Sequence, residues 1–460
     1  MNHYLFLDTE DNSLRWSEKL VRGKGVKGIC LEQHEVEILK MIYTHKMMTS
    51  SMIHEMYLLY RPHANSRSIS NRLTRLVNAK VLYQRKHTSF FNNVNFSFFY
   101  TVGEVGFYML KDLNIPELQI KNSFYEPSRI RVPNLHNLYA IDTVHRLFVE
   151  NQKRKEPYSL GIMRGDVHEL FSNSRNAFAK EHRKRGDIPI IPDYVITKGN
   201  IVICFESDMA TEKARQIQQK EKMYCRLKQT EAFQGKRVYV VYSVVDERRS
   251  GDVGDNNLSR ARRIHSLKAA HSLSGEWPEG LEFYVTSSNE VIELILDLLL
   301  STKYPLSSIY KKALLSEMSR NINEHYQQLN GWQVEQVNTS DLLVDKRKAE
   351  NLPSPTYAMK LFTRKGTIKT LVYLAGEFGS VRTYQELQTI SKLLSLTNET
   401  VFMQEYLPIE MVVGYLKTVD LTKEYFGFTP SLSIRLVNHE DEQKRGLELL
   451  TAYKKEWKGW

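Results

Sequence analysis

From Ile190 to Tyr224 the chain reads IIPDYVITKGNIVICFESDMATEKARQIQQKEKMY. The residues there able to do chemistry are Asp193, Glu206, Asp208, Lys220 and Tyr224. Phosphodiesters resist hydrolysis because their negative charge repels nucleophiles. A divalent ion screens that charge, activates the attacking oxygen and stabilises the leaving one. Mg²⁺ and Mn²⁺ take oxygen ligands. Asp193 follows Pro192 and opens one apolar run. A Lys-Gly-Asn turn leads into a second run, which ends in Glu206-Ser207-Asp208. If the runs are adjacent antiparallel strands, Asp193 and Glu206 reach one ion. Asp208, two residues beyond Glu206, shares its sheet face. The Ser207 carbonyl offers a further ligand. Lys220, on the helix that follows, is placed to steady a pentavalent phosphate. Tyr224, one turn on, is placed to position Lys220 or a phosphate oxygen. Singly, each residue has an ordinary reading: a strand start, strand-end carboxylates, a solvated lysine, a core tyrosine. In this order they point to a phosphodiester-cutting site whose metal ligands are Asp193, Glu206 and Asp208.

The elements that must position these groups form an α/β frame. His136–Glu150 has helical apolar spacing, with Leu138, Ile141, Val144, Leu147 and Phe148 inward. A basic stretch over 170–187 precedes the two apolar runs. A helix from about Thr211 to Gln229 follows them, then the β-branched strand Arg237–Val245. A basic helix with Arg260, Arg262, Arg263 and Lys268 comes next, then a strand at Leu281–Val285 and a helix at Asn289–Leu300. Strands alternating with helices predict a mixed α/β layer over 134–300.

Upstream, residues 31–112 read as three helices and a hairpin. Val36, Leu39, Met41 and Ile42 mark the first helix. Met52, Ile53, Met56 and Tyr57 mark the second, capped by Thr or Ser. The third starts at Ser66, with Ile69, Leu73, Leu76 and Val77 inward and Arg67, Arg72 and Arg75 outward. Two β-prone runs, 81–85 and 95–101, meet at a turn over Phe91-Asn92-Asn93. That order is the order of a winged helix-turn-helix, whose third helix enters the DNA major groove. Ser66, Arg67, Ser68, Ser70, Asn71 and Arg75 suit base and phosphate contact, and Arg85 on the wing suits the backbone. Residues 1–30 read as an N-terminal extension and 113–133 as a linker. Residues 301–460 read as a further α/β or α+β domain, with a helix at Glu317–Leu329, strands near Ala358–Phe362 and Thr370–Leu374, and a helix near Gln385–Leu394. They carry no legible motif, and no internal repeat is evident along the chain.

At 460 residues the chain requires two to four domains. Hydrophobic residues make up 42% and charged residues 25%, which excludes a largely disordered chain. The formal charge of +11 favours a polyanionic partner: DNA, RNA or an anionic membrane. Cys30, Cys204 and Cys225 lack zinc-module or disulfide spacing and fit a reducing cytoplasm. The N-terminus MNHYLFLDTEDN has no signal-peptide pattern. The most apolar segment, Val291–Leu300, is too short to span a bilayer and carries Glu293 and Asp297, so no membrane insertion is expected.

Pro192-Asp193, Glu206-x-Asp208 and a helix bearing Lys220-x-x-x-Tyr224 resemble the PD-(D/E)xK nuclease superfamily. The last piece is similar to its Gln-x-x-x-Tyr element, with Lys in place of Gln. Asp208 departs from the pattern, since it stands where the superfamily has its Lys. Either Lys220 takes that role from the helix, or the site binds DNA and metal without cutting. The resemblance also implies an upstream helical Glu, for which Glu181 is the nearest candidate.

With the winged helix in front, the first 300 residues are similar to the replication-relaxation family of mobile elements. They also resemble the related plasmid relaxases of the MOB-C class. FESDMATEKA is the most family-like segment. The resemblance implies a multidomain α/β protein with a restriction-endonuclease-like central sheet flanked by helices. It implies Mg²⁺- or Mn²⁺-dependent nicking at a plasmid origin. The partners it implies are double- and single-stranded DNA, with transfer or replication accessory proteins beside them. The alternative from a different class is a non-catalytic DNA-binding protein of replication, transfer or regulation, built on a degenerate nuclease fold.

Overall fold

A computed structural model describes residues 3–8, 13–18, 29–86, 98–113, 135–171, 190–209, 212–245, 256–272, 277–299, 333–342, 356–362, 368–395, 409–415 and 434–438. The protein is mixed α/β, with several open sheets among the described residues. Its chain divides into two compact units. One is drawn from Met1–Lys198, Cys204–Met209 and Val245–Gly254, the other from Gly199–Ile203, Ala210–Val244 and Asp255–Trp460.

In the first unit the N-terminal extension holds β1 (His3–Asp8) and β2 (Ser13–Glu18), antiparallel to each other, with β3 (Cys30–Glu32) beside β2. Then α1 (Gln33–His45) buries Val36, Ile38, Leu39 and Ile42. It starts where the Glu32 N–H donates to the Glu35 carboxylate (3.0 Å) and stops at Lys46, whose φ of 66° is left-handed. The second helix, α2 (Ser50–Tyr60), is capped by the Thr49 hydroxyl, which accepts from the Met52 N–H at 3.3 Å. It buries Met52, Ile53, Met56 and Tyr57, the four residues its spacing predicts. The third, α3 (Ser66–Asn78), is capped by Asn65 Oδ1, which accepts from the Ser68 N–H at 2.7 Å. Ile69, Leu73 and Leu76, spaced four and three apart, form its inner stripe.

Strand β4 (Met48–Thr49) pairs with β6 (Phe98–Val102), and β5 (Leu82–Lys86) pairs with the other edge of β6, both antiparallel. The expected turn at Phe91-Asn92-Asn93 lies outside the described residues. The sheet is followed by α4 (Glu104–Asp112), which buries Phe107, Met109 and Leu110. Farther on, α5 (Leu135–Gln152) buries Leu138, Ile141, Val144 and Leu147. Its His145 lies 2.9 Å from a Glu55 oxygen on α2.

The central sheet has the order β7-β8-β9-β10-β11, with β7 (Gly161–Arg164), β8 (Tyr194–Lys198), β9 (Ile201–Asp208), β10 (Arg237–Val244) and β11 (Leu281–Ser287). β7 and β8 are antiparallel. A two-residue link, Gly199-Asn200, turns β8 into β9, which makes them an antiparallel hairpin. The Asn200 carbonyl accepts from Arg237 N (2.8 Å) and the Asp208 carbonyl from Val245 N (3.0 Å), so β9 and β10 run the same way. β10 and β11 are parallel. Every residue of β9 is buried, as expected of an inner strand covered on both faces.

The second unit contains α6 (Ala214–Lys228), α7 (Asn256–Ser272) and α8 (Val291–Leu298). Its other sheet has the order β12-β13-β14-β15-β16: β12 (Gln333–Val337), β13 (Thr356–Phe362), β14 (Ile368–Gly376), β15 (Ile409–Tyr415) and β16 (Ile434–Asn438). Between β14 and β15 lies α9 (Val381–Ser395), which begins four residues before the helix expected from Gln385. The helix expected at Glu317–Leu329 lies outside the described residues. No described helix is long and apolar enough to cross a membrane.

Candidate functional site

Two surfaces of the first unit carry most of the residues singled out above. On α3, Ser66, Arg67, Ser68, Ser70, Asn71 and Arg75 are all exposed, and the helix contains no acidic residue. Two of the serines have local partners. The Ser68 hydroxyl donates to the Asn65 carbonyl at 2.8 Å, and Ser70 Oγ lies 3.4 Å from His54 Nε2. The outward surface is therefore led by Arg67, Asn71 and Arg75. Arg85 is half-buried on β5, opposite Phe99.

Arg72 differs from the expected outward arginine. Its Nε donates to Glu35 Oε1 at 2.7 Å, and its Nη2 donates to Glu35 Oε2 and to the Cys30 carbonyl. The Tyr57 hydroxyl also donates to Glu35 Oε1 (2.7 Å). Glu35 is only 4% exposed. Burial alone would raise its pKa, but the bonds from Arg72, Tyr57 and the Glu32 N–H outweigh that and hold it below the usual value. The physical reason for the correction is charge pairing: a buried carboxylate on α1 draws the nearest guanidinium of α3 inward. The bond fixes α3 against α1 and leaves the face bearing Arg67, Asn71 and Arg75 outward.

The second surface is the acidic end of β8 and β9. Pro192 is buried, and its carbonyl lies so close to Gly165 that a Cβ there would sit 2.0 Å from it. The Gly165 N–H also donates to the Asp193 carbonyl (3.3 Å). The turn after β7 thus fixes where Asp193 emerges. Asp193 Oδ2 accepts from the Ser207 N–H at 2.8 Å. Its carboxylate is thus held against the β9 backbone at Ser207, and the flanking Glu206 and Asp208 are each 4% exposed. Burial, then the charge of Glu206, pushes the Cys204 thiol well above its ordinary pKa, two residues back on the same face.

The Ser207 carbonyl, expected as a metal ligand, faces a different partner. His136 Nε2 donates to it at 2.6 Å and lies 3.4 Å from Asp193 Oδ2. His136 therefore joins α5 to both edges of the Asp193–Ser207 contact. Sequence reasoning placed it only at a helix start, because nothing local links it to a strand 71 positions away.

Lys220 and Tyr224 belong to the second unit. Lys220 Nζ pairs with Glu212 Oε1 at 2.7 Å, with both side chains about one third exposed. Tyr224 is 0% exposed, edge-on to Phe283 with ring centroids 6.1 Å apart. Beside Lys220, Glu221 is also fully buried, bonded by Trp277 Nε1 and 3.1 Å from His271 Nδ1. Glu181 lies outside the described residues. Carboxylate oxygens are the donor type that Mg²⁺ and Mn²⁺ take. Among the described residues, however, no three His, Cys, Asp or Glu side chains stand together as ligands of one ion.

No curated protein and no solved structure matches the chain. A family model does match, over residues 39–241, a span that contains both α3 and the acidic strand end and stops before β12. Over those residues the chain is similar to the replication-relaxation family.

Proposed function

We propose that the chain binds duplex DNA at a plasmid origin and serves plasmid replication or relaxation there, with α3 as its reading helix. One observation carries this: an acid-free helix, tied inward by the buried Glu35–Arg72 pair, turns Arg67, Asn71 and Arg75 outward. Arg matches guanine bidentately and Asn matches adenine, while either Arg neutralises phosphates. Three helices followed by β5 and β6 have the order of a winged helix-turn-helix, with Arg85 on the wing side toward the DNA backbone. The family match and the charge of +11 support the same class of partner. Anisotropy titrations with origin duplex test it. Arg67→Ala and Arg75→Ala are each expected to weaken binding by about 1–3 kcal/mol where they meet bases, or to lower the salt slope by about 1 where they meet phosphates. Unchanged affinity and unchanged salt slope in the double variant would refute the assignment.

A second reading is strand nicking with Mg²⁺ or Mn²⁺ held by Asp193, Glu206 and Asp208. It is favoured by the Asp193–Ser207 bond, which sets three carboxylates on adjacent stretches of backbone. Supercoiled origin plasmid, with metal against chelator, tests it. Asp193→Ala should abolish conversion to open circles and leave affinity for origin DNA unchanged. A variant that nicks at the parent rate removes these residues from the chemistry. No nicking by the parent chain with either metal leaves a DNA-binding protein of replication, transfer or regulation.

A further inference from the structure

The two five-stranded sheets follow one plan. Each has its strands in sequence order. In the central sheet the successive pairings are antiparallel, antiparallel, parallel and parallel, as the β7–β8 pairing, the Gly199-Asn200 hairpin, the Asn200 and Asp208 carbonyl bonds and the β10–β11 pairing establish. In the C-terminal sheet the pairings from β12 to β16 are antiparallel, antiparallel, parallel and parallel again. The helix after the third strand is 15 residues long in both, α6 in one and α9 in the other.

No repeat is evident along the chain alone, but once the sheets are aligned the sequence shows a matching correspondence. Lys198-Gly199-x-Ile201 matches Lys365-Gly366-x-Ile368, and without a gap Ala214, the first residue of α6, then falls on Val381, the first of α9. Arg215 falls on Arg382, Gln218 on Gln385 and Leu227 on Leu394. Upstream, Pro192-x-Tyr194 matches Pro355-x-Tyr357, with four more residues between that motif and the Lys-Gly in the second copy.

The same alignment shows what the second copy lacks. Asp193 corresponds to Thr356, Glu206 to Tyr373, Asp208 to Ala375, Glu212 to Gly379 and Lys220 to Leu387. Leu387 is buried, whereas Lys220 is ion-paired at the surface of α6. The loop from β14 to α9, which corresponds in sequence to the segment between β9 and α6, meets β11. The Gly379 carbonyl accepts from Val285 N (2.8 Å), Ser380 bridges to Tyr284, and the buried Tyr284 hydroxyl donates to Glu377 Oε1 (2.7 Å). Gly379 has φ +74°, and a Cβ there would lie 3.2 Å from Leu294 Cδ2, so this contact suits glycine alone. Behind it, the Tyr384 hydroxyl on α9 lies 2.8 Å from His265 Nδ1 on α7. β11 is the last strand of the central sheet, and an edge strand exposes backbone groups that need a partner.

We infer that residues 333–438 are an internal duplicate of the fold at 161–287, without acidic counterparts of Asp193, Glu206 and Asp208, whose loop after the third strand serves as the docking surface for the edge strand β11. Among its described residues the duplicate has no counterpart of the three carboxylates, and its partner is the chain itself. Hydrogen exchange on the full-length protein tests the docking. Gly379→Val should raise amide exchange across 281–287 roughly tenfold, as loss of a bond and its neighbours predicts, and leave β7 and β8 unchanged. Tyr284→Phe, which changes no backbone, should do the same to a smaller extent if the glycine variant does not fold. Unaltered protection of β11 in Tyr284→Phe overturns the docking role. Backbone superposition of β7–β11 with α6 onto β12–β16 with α9 should place Ala214 on Val381, and helices on opposite faces of their sheets overturn the duplication. The double variant Thr356→Val, Tyr373→Phe should keep origin-DNA affinity and any nicking rate within twofold. A loss of either would mean that the second copy holds a working site.

Discussion

Of the arginines on α3, Arg72 acts inward and Arg67 and Arg75 outward, although all three lie on one short helix. The difference comes from Glu35, a carboxylate that α1 buries and that must have partners. Arg72→Met strands that charge, and the expected loss is about 3–5 kcal/mol of unfolding free energy, measured by urea denaturation. Glu35→Gln in the same background should restore part of it, because the stranded charge is gone. The sign with pH follows from the depressed pKa of Glu35. Its contribution is complete above the usual carboxylate range and is lost as pH falls through its lowered native value. The Arg72→Met protein should lack that acid-side slope. At the acidic strand end, Asp193, Glu206 and Asp208 were all legible as residues. The hydrogen bond from the Ser207 N–H to Asp193, and the His136 contact that completes it, were not. They join groups from three separate stretches, and local pattern carries no trace of such joins.

At the scale of elements, caps decided where helices begin, and caps are local. Asn65 and Thr49 stand directly before α3 and α2, and both accept from the first turn. Asn65→Ala removes one such bond at the start of the reading helix. It should cost about 1 kcal/mol in stability. It should also weaken origin-DNA binding by less than Arg67→Ala does, as anisotropy with both variants would establish. Strand β1 escaped sequence analysis because its Tyr-Leu-Phe-Leu run does not alternate apolar with polar, so no period marks a face, and β2 is legible as a strand only beside it. The expected outward position of Arg72 failed for a related reason. Helical periodicity assigns a face by angle, while a long side chain can reach back to a buried charge.

Across the first unit, two histidines join elements distant in sequence. His45, the last residue of α1, has Nδ1 2.8 Å from the Tyr194 hydroxyl at the start of β8, the residue after Asp193. His145 on α5 meets Glu55 on α2. Burial, then the neighbouring His145 and Arg164, lowers His45 to about 3. An unfolded histidine takes its proton near its ordinary value of 6.5. Between these values the unfolded chain binds more protons, so stability is full above 6.5 and declines as pH falls toward 3. The melting temperature followed from pH 7 to 4 should show that decline, and His45→Gln should flatten it. An equal slope in the variant would assign the acid sensitivity elsewhere.

The amino-acid sequence by itself determined the mixed α/β class, the helices α1 to α3 with their inner stripes, the acid-rich strand end and its likeness to the replication-relaxation family. The helices rest on short-range spacing, where side-chain period and capping act directly, and the class and the likeness rest on the order of such elements along the chain. Only the tertiary structure decided that Arg72 turns inward, that His136 closes on Asp193 and Ser207, that Tyr224 is core, and that the C-terminal sheet repeats the plan of the central one. Each of these depends on which groups burial brings together across long stretches of chain, and a repeat whose acids have been replaced keeps its strand order and directions long after its residues have ceased to resemble the original.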